Sequence, residues 1–578
     1  MNPLLKAKRR AGKVKRWITR KFYERNIGKQ YKVWLVEAHT ATPGSITFST
    51  TISIVIPVYD PPIQFLKECI DSVKNQTATN WQLIVSNDGS TNQDVNDYLT
   101  NLEKEKHPQI TILTNPNGGI SAAINAGLRE CTGEYFGMLD HDDRLDPRCV
   151  EVFSQAIDTN FRPVAIYSDE DKINTNNEHS ELYCKPDFSP ELLLSQMYLC
   201  HFTIWKTSMV KEAGGLRTKM DGAQDFDLAL RLIPELTKTP KSVIHIPLPL
   251  YHWRTWEHST ARNIEAKPWA QQAAQKAQQH YLNTTFGGGT AEPSSVQGLN
   301  EIHPETISKK ELTLVSVIIP TIGTKNTKGN STFVADAIAS LKEKETQTTI
   351  EFIVVTTGEL PPIPGTDHQV VYNPTNGFNF SEAINLGAKH ASVNSDYLLL
   401  LNDDTTAESH NPATRLLELA QINNVAAVGA KLTYPNGNLQ HAGIVLLPSG
   451  PTHPYIGKSG KDYGYFGATL TPRNYCAVTA AAMLVRKKEF DAVSGFDTEF
   501  AKDFNDVDFC LRLRENSNRI AWTPYAHFTH HEGASLTRKA ADAKEQQLFN
   551  ERWQNKYQLD PYYSPALNQE LHRIYEAV

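Results

Sequence analysis

The sequence predicts an α/β fold built twice over: two tandem domains, each a mostly parallel sheet with helices on both faces. Three observations predict it. Short apolar runs of strand length alternate with amphipathic stretches of helical spacing. Several of those runs stop abruptly at Asp, Asn or Pro, as a buried strand does when it delivers polar groups to the rim of a sheet. Five segments then recur later in the chain, in the same order and at close spacing.

Residues 34–50 lead into Ile52-Ser53-Ile54-Val55-Ile56-Pro57-Val58-Tyr59, a buried strand ending near a proline. After Pro61-Pro62 comes a helix with Phe65, Leu66, Cys69, Ile70 and Val73 on one face. Gln82 to Ser86 is a second strand, running into the turn-forming cluster Asn87-Asp88-Gly89-Ser90. A helix over 93–105, a strand from Ile110 to Leu113 and a helix after Asn117-Gly118-Gly119 follow. The next strand, Tyr135-Phe136-Gly137-Met138-Leu139, ends at Asp140-His141-Asp142-Asp143. Two carboxylates one residue apart at such an edge suit a hard divalent cation holding a diphosphate; the alternative is an Asp-rich turn capping the following helix. Pro163 to Tyr167 is a strand leading into Ser168-Asp169-Glu170-Asp171-Lys172. A helix starts near Asp225, with acids at its positive end, and Ile244 to Leu250 is a strand followed by Tyr251-His252-Trp253-Arg254.

Residues 284–312, with Gly287-Gly288-Gly289 and low hydrophobicity, read as a linker. The pattern then restarts. Val315 to Pro320 echoes Ile52 to Pro57, and Phe352 to Val355 echoes the second strand. Ser381-Glu382-Ala383-Ile384-Asn385-Leu386-Gly387 echoes Ser121 to Gly127, and Tyr397 to Asp404 echoes the acid-ended strand. Phe504 to Arg512 echoes Gln224 to Arg231. The boundaries are therefore set at 1–47 for a basic N-terminal segment, 48–285 for the first domain, 286–312 for the linker and 313–578 for the second domain.

Composition narrows the classes. A chain of 578 residues holds more than one domain. Its seven cysteines are scattered without a C-x-x-C pair, which argues against a zinc cage or a disulfide framework and fits a reducing compartment. No apolar run reaches the length of a membrane span, and residues near the start lack the apolar core of a secretory signal. Residues 1–33 carry a local net charge of +11; with −6 overall, the rest of the chain carries −17. That basic stretch, interleaved with Trp17, Ile18, Phe22 and Tyr23, is a candidate for peripheral contact with an anionic membrane, or else a solvated tail. The acidic body disfavours nucleic acid as a partner.

The quoted motifs, taken jointly over about 50–285 and 313–545, resemble the family 2 nucleotide-sugar glycosyltransferases of GT-A fold. Tyr167 to Lys172 and Lys185-Pro186-Asp187-Phe188-Ser189-Pro190 resemble two-domain bacterial enzymes that build surface polysaccharide, rhamnosyltransferase-like proteins included. The resemblance implies a cytoplasmic, Mn²⁺- or Mg²⁺-dependent enzyme. Its donor would be a UDP-, dTDP- or GDP-linked sugar, and its acceptor a lipid-linked or oligosaccharide glycan. Asp140 and Asp142 would be the metal and ribose–diphosphate acids, and Asp88 the reader of the nucleoside. Pro57 and Tyr59 would line the same mouth. Asp225 would be the general base of an inverting transfer, with Asp227 anchoring the fold. His252 would complete the metal shell, and Arg254, Ser259 and Thr260 would contact phosphate.

In the second copy Asp404 would be the metal acid, with Asn402 standing at the position of Asp140. Pro320 would take the nucleotide-side place of Pro57, Asp506 that of the base, and His530, preferred over His531, that of the metal histidine. Thr357 falls near the position of Asp88. Two other classes compete: a non-catalytic glycan-binding or scaffold role, for the second copy or the whole chain, and nucleotidyl transfer. The latter is disfavoured because no Gly-rich phosphate loop follows the first strand.

Overall fold

Ile52-Ser53-Ile54-Val55-Ile56-Pro57-Val58 is β-branched at five of its seven positions and buried along its whole length, so it needs sheet neighbours on both edges and cover on both faces. It forms β1 (Ile52–Val58) and pairs in parallel with a strand on either side. The structure, a computed structural model, describes residues 43–44, 46–256, 268–294, 296, 298–306, 313–327, 329–375, 377–531, 541–557, 559–570 and 575. The basic stretch 1–33, Ser259 and Thr260 lie outside them.

The first domain continues with α1 (Ile63–Lys74), β2 (Trp81–Asn87), α2 (Gln93–Lys104), β3 (Ile110–Thr114), α3 (Ile120–Glu130), β4 (Tyr135–Met138) and β5 (Arg144–Leu145). Then come α4 (Cys149–Thr159), β6 (Ala165–Ile173), β7 (His179–Tyr183), α5 (Pro190–Leu193), β8 (Thr203–Lys206), α6 (Thr207–Glu212), α7 (Gln224–Leu236), β9 (Val243–Arg254) and α8 (Pro268–Thr285). The sheet order is β3-β2-β1-β4-β8-β6-β9-β5, with β7 beside β6. Strands β3, β2, β1 and β4 run parallel, as do β6 and β9, but β8 is inserted antiparallel between β4 and β6. Apolar clusters pack on the two faces.

The second domain holds β12 (Leu314–Thr321), α9 (Phe333–Lys344), β13 (Thr349–Thr357), β14 (His368–Tyr372), α10 (Phe380–Lys389), β15 (Ser395–Leu401) and β16 (Thr405–Ala407). It goes on through α11 (Pro412–Ala420), β17 (Val425–Thr433), β21 (Arg473–Tyr475), β22 (Ala482–Arg486), α12 (Lys487–Ala492), α13 (Asn505–Glu515), β23 (Arg519–His530) and α14 (Ala543–Trp553). Three short strands, β18 (Leu439–His441), β19 (Val445–Leu447) and β20 (Gly450–Thr452), follow β17. The sheet order β14-β13-β12-β15-β22-β17-β23-β16 repeats the first strand for strand. The duplication legible in sequence is thus a duplication of topology.

Two stretches differ from the sequence reading. The segment 286–312 carries β10 (Gly289–Pro293) and β11 (Asn300–Pro304), an antiparallel pair whose Ala291 and Ile302 pack with Leu282 of α8. Phe286, Ala291 and Ile302 go to that small cluster, and the rest of the described segment is mostly polar, which is why it reads as a linker. Strand β6 runs four residues past Ser168-Asp169 into the acidic run. Sequence propensity stops the strand there. Each acid is instead matched by a cation or imidazole from a neighbouring element, as described below, and burial of the run becomes affordable.

The two domains meet through the segment after β7. Ser189 Oγ lies 2.8 Å from Asn474 Oδ1, Asp187 N–H donates to the Pro561 carbonyl at 2.8 Å, and Cys184 N–H donates to the Tyr465 hydroxyl at 3.0 Å. Tyr183 stacks on Phe466 with ring centroids 3.8 Å apart, and the Glu191 carboxylate takes Arg519 at 2.8 Å. The Lys-Pro-Asp-Phe-Ser-Pro motif is interdomain mortar.

Candidate active site

The acids of the first domain stand on a turn pinned to the end of β1. Leu139 N–H donates to Val55 O at 3.0 Å, Asp143 N–H to Asp140 O at 3.1 Å, and the His141 ring meets Pro57 O at 3.1 Å. The three carboxylates then part company. Asp140 points outward with its side chain 42% exposed. Asp142 accepts the indole N–H of Trp256 at 2.7 Å. Asp143 is fully buried, bound by the Tyr251 hydroxyl and by Arg254 N–H, and burial followed by the charges of Asp142 and Asp140 pushes its carboxyl well up. Asp143 ties the turn to β9 and is not offered to a ligand.

Asp225 opens α7, where its Oδ1 accepts Phe226 N–H at 2.8 Å. Burial raises its proton affinity; the imidazole of His201 opposes the rise and the charge of Asp140 adds to it. His201 and Asp140 both act electrostatically on Asp225, although the two acids lie 85 positions apart in the chain. His201 Nε2 faces Asp140 Oδ2 across 3.8 Å. Burial would depress its imidazole, but Glu170, Asp140 and Asp143 raise it to about 9.

His201 is held from behind. Its backbone N–H donates to Glu170 Oε2 at 2.9 Å, and its ring stacks on Tyr251 at 4.8 Å. Glu170 is held down at about 2: burial opposes ionisation, and Lys185 and His201 more than compensate. Lys185 is completely buried, and its Nζ donates to the carbonyls of Ser168, Leu199 and His201 at 2.7 Å each. Sequence reading missed this network. The signal was present in the acidic run of β6, whose carboxylates had no assigned purpose.

At the end of β2, Asp88 is buried and takes Gly118 N–H at 2.8 Å and Gly119 N–H at 2.9 Å, one on each oxygen. It clamps the Asn117-Gly118-Gly119 loop. Tyr59 is 50% exposed, so its ring is not core filler.

His252 does not join Asp140 and Asp142. Its Nδ1 meets Asp171 Oδ1 at 2.6 Å, and His179 takes the other oxygen of Asp171 at 2.6 Å. These three could themselves surround an ion, but Asp140 and Asp142 are not among them. The reason is register. Arg144, two residues after Asp142, pairs with His252, whereas Thr405, one residue after Asp404, pairs with His530. The two histidines are out of phase by one residue, and a one-residue offset in a strand reverses the face. The counterpart of His530 is Trp253, which lies beside His201 at 5.6 Å. Arg254 is likewise not free for phosphate: it is fully buried, donating to Asp142 O, to Glu68 at 2.7 Å and to Asn177.

In the second domain the structure brings His530 Nε2 within 3.1 Å of Asp404 Oδ1 and 3.4 Å of Asn402 Nδ2. His531 turns its ring to Phe333. Asp506 repeats Asp225 closely: its Oδ1 accepts Val507 N–H at 2.8 Å, and burial raises it. Pro320 is buried on β12 as Pro57 is on β1, and the next residue, Thr321, donates to Asp403 at 2.6 Å. Asp227 and Asp508 anchor the fold in both copies, through Arg217 and Arg231 in one and Arg512 and Arg552 in the other. Among the described residues no helix is long and apolar enough to cross a membrane.

Residues 53–213 match the family model described as glycosyl transferase family 2. The chain is 32% identical over 533 residues to the protein of Sinorhizobium fredii designated uncharacterized protein y4gI; the match takes in 89% of this chain and 57% of that protein. It is 30% identical to the O-antigen biosynthesis protein RfbC of Myxococcus xanthus, over 89% of this chain and 40% of that protein. A shorter match, 31% identical over 31% of this chain, joins it to 18% of the chondroitin synthase of Pasteurella multocida. The chain thus spans about half the length of the first two relatives. An acid-tipped strand inside the matched stretch and a second acid at the head of α7, just beyond it, accompany one statement: residues 53–213 form a glycosyl transferase family 2 domain.

Proposed function

We propose that the first domain transfers a sugar from a nucleotide-diphosphate donor to a hydroxyl of a growing surface glycan, with inversion at the anomeric carbon. The observation that carries this reading is that His201 faces Asp140 at 3.8 Å in a family 2 domain, with Asp225 within electrostatic reach of both. The relatives engaged in O-antigen and chondroitin synthesis support the substrate class.

Asp225 accepts the proton of the acceptor hydroxyl. The oxygen so freed forms a bond to the anomeric carbon as the bond to the donor's phosphate oxygen breaks, and the nucleoside diphosphate leaves with the electron pair. A single displacement by one base inverts the centre. Raised proton affinity suits Asp225 to that task, and its fixed bond to Phe226 N–H aims it. Asp140 and Asp142 would hold Mn²⁺ or Mg²⁺: hard carboxylate oxygens are present, Asp140 is open to solvent, and Asp142 has one oxygen outside its bond to Trp256. A bound cation supplies neutralisation of the charge growing on the leaving diphosphate.

The same reasoning extends to the second domain, where Asp404 with His530 would hold the ion and Asp506 would be the base. The test is Asp225→Asn in the full chain. Metal-dependent binding of nucleoside diphosphate stays within twofold, and transfer by the first domain falls by roughly 10²-fold or more. Transfer at the wild-type rate removes Asp225 from the mechanism.

A further inference from the structure

The two copies present different groups at the rim. β4 pairs with β8 as Tyr135↔Lys206, and β15 pairs with β22 as Tyr397↔Arg486. Counting back from Lys206 and Arg486 sets His201 against Ala481. The strand pairing that sets His530 opposite Thr405 gives Trp253 as its counterpart. So the first domain has His201 with Trp253, and the second has Ala481 with His530. Each copy turns one imidazole toward its acid, His201 from the segment leading into β8 and His530 from the end of β23.

His201 faces Asp140, on the proposed diphosphate side, at 3.8 Å and is within electrostatic reach of Asp225, on the proposed acceptor side. The transferred sugar has to span that interval. His201 Nε2 stands 3.8 Å from Asp140, too far for a hydrogen bond, so this donor is available. The ring is 26% exposed. It is fixed by Tyr251 behind it and by the Glu170–Lys185 pair beneath its backbone. A polar atom so placed, on a support this rigid, reads hydroxyl positions.

We infer that His201 hydrogen-bonds a hydroxyl of the transferred sugar in the first domain, and that Ala481 leaves the second domain without this contact. The inference rests on the transferase reading above. It is tested in the full chain carrying Asp404→Ala, so that the first pocket alone reports, by calorimetry in Mn²⁺. The probes are UDP, dTDP and GDP, each beside its sugar conjugates: UDP-glucose, UDP-N-acetylglucosamine, dTDP-rhamnose and GDP-mannose. With His201→Ala, affinity for the preferred nucleotide sugar falls at least tenfold while that for the matching nucleoside diphosphate changes less than twofold. His201→Gln, which keeps a donor, recovers part of the loss. Equal weakening of nucleotide and nucleotide sugar would assign His201 to the ion or the phosphates and overturn the inference, as would no loss at all. If none of the nucleotides binds even with His201 present, the transferase reading itself falls, and this inference with it.

Discussion

Asp225 is burdened by burial and by Asp140, and relieved by His201 and by Phe226 N–H. Its carboxyl therefore titrates above the ordinary aspartate range, and the base is lost as pH falls through that raised value. The acid limb of kcat for the first domain is expected above the range of an ordinary aspartate, and a pH–rate profile under donor saturation checks it. A second residue tests pH in stability. His245, buried between Asp169 at 2.9 Å and Asp187 at 3.0 Å, is depressed by burial and raised by those carboxylates to about 9. A raised histidine stabilises fully below its unfolded pKa of about 6.5 and loses that contribution as pH climbs through the folded value. Chemical denaturation from pH 6 to 10 should show wild type losing up to roughly 3 kcal/mol relative to His245→Gln, most of it between 6.5 and 9. Parallel curves would mean that His245 is neutral throughout.

At the scale of elements, the echoed Ser-x-x-Ile-Asn-x-Gly motif is packing and clamping. A methyl added at Gly127 would sit 2.5 Å from Val55, and one at Gly387 would sit 2.4 Å from Ile318, so α3 and α10 lie directly on β1 and β12. Asn125 brackets Leu216 with bonds of 2.7 and 2.9 Å, and Asn385 brackets Phe496 with bonds of 2.7 and 2.8 Å. Gly127→Ala and Gly387→Ala should each cost about 1–3 kcal/mol by overpacking, read as a lower Tm of the domain concerned. These elements were legible because local pattern and global fold agree. The end of β6 was not: an Asp-Glu-Asp run is a poor strand by propensity, and only Lys185, His201, His245, His179 and His252, brought in from elsewhere, make its burial tolerable.

For the whole molecule, the seam between domains decides whether two pockets move as one body. Glu191 and the Arg519 guanidinium are largely out of water and bound to each other, with Arg519 also donating to Asn423 O at 3.0 Å. Truncating one partner strands the other charge. Arg519→Ala is expected to destabilise by roughly 3–5 kcal/mol and to split a shared unfolding transition into two, seen by calorimetry. A single unshifted transition would show that the pair does not couple the domains.

The sequence by itself determined that there are two α/β domains, which strand ends carry acids, and which residues repeat. Those properties live in local composition and in order along the chain. The tertiary structure alone decided which histidine faces which acid. His252 and His530 each follow the acid at a helix head in their own domain, yet a one-residue phase in strand pairing sends one to Asp171 and the other to Asp404. His201 reaches Asp140 only because β8 is inserted beside β4. Side-chain direction in a sheet is set by register with a partner strand far away in sequence, and spacing along the chain does not record it.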